Sequence, residues 1–189
     1  MKTGKYLFLI AASGMLVWQS CGNSNSGKTD STTQATEVNE QKETVSDSLS
    51  HFMVEAAAGG MAEVELGNLA QKNGQSARVK AFGAMMVKDH SKANEELKAL
   101  ASAKNVTLPA SLSDEHQKHM EAMQKMTGAD FDKHYMDMMN KDHVDDITLF
   151  DETSKSSIDP EVKAFAAKTL PILKMHLDSA KRINEAIKK

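Results

Sequence analysis

From Asp47 to the end of the chain, apolar residues recur every three to four positions, and only a few short breaks interrupt them. A chain patterned in this way can bury its apolar stripes only by laying helices side by side. The breaks are specific. Asn73-Gly74 ends a first helix begun near Asp47, and a second runs from about Ser76 to Lys104, stopped by Asn105 and Pro109. Ser113 caps a shorter helix that ends at Thr127-Gly128. A third long helix covers about Asp130 to Lys155, and Asp159-Pro160, an N-cap with proline at the first helical position, opens the last. Pro171 should bend that last helix by removing one backbone donor. Long helices joined by short turns fold back as antiparallel neighbours, so the expected fold is all-α: an up-down four-helix bundle. One extra short helix is expected between the second and third long ones. Aromatics at 5% and the absence of β-branched runs argue against a sandwich or barrel.

The first residues read as an address. Lys2 and Lys5 precede an apolar stretch from Tyr6 to Val17, too short to span a bilayer and suited to a signal peptide over residues 1–20. Ser20-Cys21 follows directly and resembles a lipobox, although Trp18 stands where leucine is usual. The expectation is an envelope lipoprotein anchored through lipidated Cys21. Gly22 rather than aspartate favours the outer membrane, with the domain facing the periplasm. Residues 21–46 are rich in Asn, Ser, Thr and Gln and are expected to form a flexible tether, leaving 47–189 as the domain. The net charge of −3 and the lack of a basic block exclude a nucleic-acid partner.

Function has to be read from polar residues on apolar faces. At about 100° per residue, Glu63 lies on a small-residue face with Ala56, Gly60 and Gly67. His90 lies among Met86, Val87 and Leu97, His143 among Met136, Met139 and Ile147, and His176 among Phe165, Leu173 and Ala180. Each long helix thus places one metal-capable side chain in mid-stripe, and burying such groups is costly unless they are paired. Two readings stand. In one, the cluster is a protein-only network, with Glu63 accepting from the histidines and Asn94 or Asn140 joining in, inside an envelope scaffold or interaction module. In the other, it binds a transition metal such as Cu, Zn or Fe, with Met86 and Met139 as accessory thioether ligands. Asp89 and Asp142 could orient an imidazole from behind. His116 and His119 form a weaker, solvent-facing pair. No nucleophile set, phosphate loop or dinucleotide fingerprint is present, so any catalysis would have to be metal-based.

The motif Phe52-x-x-x-Ala56-Ala57-x-Gly59-Gly60-Met61-x-Glu63-Val64-x-Leu66-Gly67 resembles the opening motif of the DUF4142 family. The segments Val79–His90, Gly128-x-x-Phe131-Asp132-x-x-Tyr135, Asp142-His143 and Leu170-Pro171-x-Leu173-x-x-His176 are similar to that family in the same order. The resemblance, over about residues 50 to 182, implies an exported bacterial protein with a ferritin-like fold and supplies no activity. Di-iron bundles need Glu-x-x-His on two helices, whereas Val87, Asn140 and Leu173 stand three before the histidines here. A di-iron cofactor is therefore not expected. An internal echo, Phe82-x-x-x-Met86-x-Lys88-Asp89-His90 and Tyr135-x-x-x-Met139-x-Lys141-Asp142-His143, suggests two related hairpins.

Overall fold

The computed structural model describes residues 29–188. Six helices occur among them: α1 Ser31–Glu40, α2 Asp47–Asn73, α3 Ala77–Ala103, α4 Asp114–Gln124, α5 Gly128–Ser156 and α6 Pro160–Ile187. The all-helical class follows the sequence pattern, and the five later helices begin and end within a few residues of their signals. Ser113 Oγ accepts from the His116 amide, and Asp159 accepts from the Glu161 and Val162 amides, so both caps act as their sequence implies. Asn105 takes the left-handed conformation, φ 57°, and lets Val106 N–H reach back to the Ala101 carbonyl at 2.8 Å, closing off α3. α6 continues through Pro171 as one helix.

α2 packs along α3 and α5 along α6; α2 also meets α5, and α3 meets α6, so each long helix has two long neighbours. α4 lies across α2 and α5. Two apolar clusters fill the interior. One is built on Phe52, Leu97, Phe150, Phe165 and Leu173, with Phe52 and Phe150 edge to face at 5.0 Å. The other is built on Leu66, Phe82, Met86, Phe131, Tyr135 and Met139. Along every long helix the residues of one cluster give way to those of the other, and Glu63, His90, His143 and His176 stand at the changeover. The polar residues therefore form a layer between two apolar cores. At the Gly67–Gly83 crossing the backbones nearly touch: a Cβ on Gly67 would stand 2.7 Å from the Gly83 carbonyl oxygen, and the reverse holds for Gly83.

The expected tether over 21–46 needs correction within its described part, residues 29–46. Ser31–Glu40 is helical, capped by Asp30, and packs on α2. Its attachment is polar. Buried Asn39 donates to the Thr107 carbonyl at 2.8 Å and accepts from the Thr107 amide at 2.7 Å, while Lys42 Nζ reaches the Asn105 carbonyl at 2.8 Å. Asp30 Oδ2 accepts from the Asp114 amide at 2.6 Å. Backbone groups of the 105–114 loop supply the partners, and hydrophobicity carries no trace of such bonds. The signal peptide over 1–20 and Cys21 lie outside the described residues.

Candidate metal centre

Each long helix contributes one member of the polar layer, and all four are buried: Glu63 is 3% exposed, His90 6%, and His143 and His176 0%. The three imidazoles stand mutually close, with ring centroids 5.3 to 5.7 Å apart. Each offers one ring nitrogen, and those nitrogens lie within 4.8 Å of one another. The fold brings together the four side chains that the sequence places in mid-stripe.

The outer sides of the rings are held by protein acceptors. His90 Nδ1 is 2.8 Å from Glu63 Oε2. His143 Nδ1 is 3.0 Å from the Met139 carbonyl oxygen and 3.3 Å from Glu63 Oε1. His176 Nε2 is 3.0 Å from Asp89 Oδ2. On the inner side, His143 Nε2 and His176 Nδ1 face one another at 3.3 Å, and His90 Nε2 is buried without a hydrogen-bond partner.

Counting hydrogens exposes a deficit. A carbonyl can only accept, so His143 Nδ1 carries the hydrogen and the neutral ring keeps its lone pair on Nε2. Neutral His176 has one N–H but two acceptors beside it, His143 Nε2 and Asp89 Oδ2. Donation to Asp89 leaves two lone pairs facing across 3.3 Å; donation to His143 leaves a lone pair against a carboxylate oxygen. A second proton on His176 would fill both contacts, but burial opposes it and holds this ring down to about 4. The run Met139–His143–His176–Asp89 is one hydrogen short.

Burial likewise pushes His90 and His143 down to about 4, so all three imidazoles are neutral near pH 7. The carboxyls move the other way. Burial raises Glu63 to about 7, countered in part by His143. Asp146, one turn beyond His143 on α5, is held well above the usual carboxylate range by burial and by Glu63. Glu63, His143 and Asp146 form a second group whose ligand atoms lie within 4.8 Å of one another.

The remaining expected participants divide. Asp89 does orient an imidazole, that of His176 rather than of its sequence neighbour His90. Asp142 is lifted to about 6 by burial, beside Lys141 and His119. Met86 and Met139 belong to the apolar cluster, and Met139 serves the site through its carbonyl. Asn140 donates to the Met136 carbonyl at 2.8 Å, and Asn94 stands beside Gly60 of α2. His116 is half-buried on α4 and His119 exposed, and both border a surface cleft. Asp146 was not among the expected residues. Its signal was available, since it lies three positions from His143 and so on the same helical face.

The family model of DUF4142, described as a domain of unknown function, matches residues 34–183, and the chain belongs to that family. No curated protein and no solved structure matches it.

Proposed function

We propose that this DUF4142 protein is an envelope metal-binding module, in which His90, His143 and His176 hold one transition-metal ion. The missing hydrogen between His143 and His176 carries the reading, because a cation is what two facing lone pairs can share without protonating a buried ring. The spacing supports it. Two nitrogens each about 2.0–2.1 Å from a tetrahedral ion stand roughly 3.3–3.4 Å apart, and His143 Nε2 and His176 Nδ1 are 3.3 Å apart. The outer acceptors support it as well, because metal-bound histidines characteristically give their other N–H to a carboxylate or carbonyl. Asp89, the Met139 carbonyl and Glu63 occupy those positions. Three neutral imidazoles suit Zn(II), Cu, Ni(II) or Fe(II), and three protein ligands leave a fourth position for water or a delivered molecule. This nitrogen-rich set differs from the carboxylate-rich set of di-iron bundles.

In this reading the four long helices form an up-down, ferritin-like bundle, and lipidated Cys21 holds it to the outer membrane on the periplasmic side. Acyl chains at roughly 0.8 kcal/mol per buried CH₂ suffice for that anchorage. A second reading, a scaffold whose polar layer only sets helix register, draws support from the position of that layer between two apolar cores.

Metal analysis and thermal melts of the full chain with Zn(II), Cu(I), Cu(II), Ni(II) and Fe(II), against the His90→Ala/His143→Ala double variant, separate the two. One equivalent of metal that raises the melting temperature of the wild type alone is expected. No stoichiometric metal and no selective shift would leave the scaffold.

A further inference from the structure

A large cleft opens between α2, α4 and α5, about 1300 Å³ in volume. Nine carboxyl-bearing residues line it against two lysines, Lys118 and Lys141. Its outer part carries Glu55, Glu115, Asp142 and Asp145, and its lining also includes Glu63 and Asp146. Acidity alone would mean little, since exposed carboxylates are common. Glu63 supplies the independent observation. Its Oε1 is fully buried and accepts no hydrogen bond, because His143 Nδ1, 3.3 Å away, is turned to the Met139 carbonyl, while Oε2 of the same carboxyl lies 2.8 Å from His90 Nδ1. One carboxyl therefore borders the cleft and also touches a proposed ligand.

A second, separate cavity of about 20 Å³ is lined by Glu63, Asp146, His90 and Asn94 together with apolar side chains. A volume of that size holds about one water molecule. Glu63 and Asp146 line both spaces, so they stand between the cleft and the cavity that His90 borders.

We propose that this acidic cleft is the port through which the metal cation reaches the three histidines, with Glu63 and Asp146 as the relay at its inner end. The inference rests on the metal reading above. A cleft of one sign between low-dielectric walls focuses its field and raises the local cation concentration, accelerating capture by about 10–10³-fold at low salt. A shed hydration shell must be replaced as the ion leaves water, and two carboxyls beside the buried layer supply oxygen donors at that point. His90 touches Glu63 at 2.8 Å and borders the small cavity, so the relay ends beside a proposed ligand.

The test is stopped-flow Zn(II) loading of the full chain, and chelator-driven release, at low and high salt. Asp142→Asn/Asp145→Asn removes two charges from the cleft and touches no proposed ligand. Its loading should slow by about 3–10-fold at low salt, with the difference closing at high salt. Gly59→Leu plugs the passage. A Cβ there meets only Asp146 Oδ1, at the ordinary distance of 3.6 Å, so the backbone tolerates it and the longer side chain projects into the cleft. It should slow loading and release by the same factor, at least about fivefold, leaving affinity unchanged.

Unchanged rates in both variants, with one Zn(II) still bound, would overturn the port and leave the metal site standing. Slowing of Gly59→Leu in step with lost affinity would also overturn it, because a blocked path changes rates and not equilibrium. Failure of the wild type to bind Zn(II) or any of the other ions would remove the site and the port together. Far-ultraviolet circular dichroism of each variant certifies the fold, and Gly59→Ala provides the milder plug should leucine disturb it.

Discussion

Asp89 hydrogen-bonds the imidazole of His176 across the α3–α6 interface, at 3.0 Å, and not that of its neighbour His90. Successive residues on a helix point about 100° apart, so Asp89 and His90 face different partners from adjacent positions. One dipeptide thereby presents an imidazole to the polar layer and, beside it, a carboxylate that fixes the ring of a second histidine.

Removal of that carboxylate should weaken the site without removing a ligand. Asp89→Ala is expected to reduce Zn(II) affinity by about 10–100-fold, the usual consequence of losing an acceptor behind a metal-bound histidine. Competition titration against a chromophoric chelator measures it. An unchanged affinity would mean that His176 needs no such support, and the proposed tautomer would be wrong.

The metal-free protein should lose stability in acid. Each histidine is depressed from 6.5 to about 4, so the unfolded chain binds protons that the folded chain refuses. Their contribution is complete above pH 6.5 and is lost as pH falls toward 4. Glu63, raised from 4.5 to about 7, has the opposite sign: its contribution is complete below pH 4.5 and is lost as pH rises through 7. Urea denaturation from pH 4 to 8 should therefore show an acid limb, and His143→Leu/His176→Leu should flatten it and preserve or raise metal-free stability. An acid limb of undiminished depth in that variant would locate its source outside His143 and His176.

Gly67→Ala should destabilise the fold by about 1–3 kcal/mol, the range for inserting a methyl group where there is no room. The added carbon would stand 2.7 Å from the Gly83 carbonyl oxygen, a rigid backbone atom. Gly83→Ala meets the Gly67 carbonyl at the same distance, so both substitutions push the same crossing apart and should not add. Chemical denaturation of both single variants and the double variant decides this; strict additivity would contradict a shared crossing.

Asn39→Ala should release α1 and the 105–114 loop while leaving the long helices in place. It strips the Thr107 amide and carbonyl of their partners, at a cost of about 1–3 kcal/mol for each group left buried and unpaired. Hydrogen exchange at the Thr107 amide should accelerate, and exchange in α3 and α5 should not. Retained protection at Thr107 would show that α1 is held by other means.

Most of the helical layout was legible because its signals are local. Asn73-Gly74, Ser113 and Asp159-Pro160 mark helix ends through their own backbone chemistry, whatever the rest of the chain does. The central quartet was legible for a related reason: a polar side chain on an apolar stripe is visible from periodicity alone. What periodicity lacks is rotation between neighbouring helices. It could not show that Asp89 meets α6, that Asp146 joins Glu63 across the α2–α5 interface, or that the Met139 carbonyl holds His143 while its thioether packs elsewhere. α1 escaped because its contact with the 105–114 loop is made through polar atoms. A composition rule reads Asn39 and Lys42 as solvent-loving, although Asn39 is 1% exposed.

The polar layer also lies on a seam. α2 with α3 and α5 with α6 are two helical hairpins, each closed by a turn of three residues. His90 and Asp89 come from the first hairpin, and His143 and His176 from the second. An ion bound there would stitch the hairpins together, and occupancy would report how well they are docked. Any force or partner that levers one hairpin from the other would pull the donor set apart and release the ion before either hairpin unravels. A cation held at such a joint would thus be released by mechanical load.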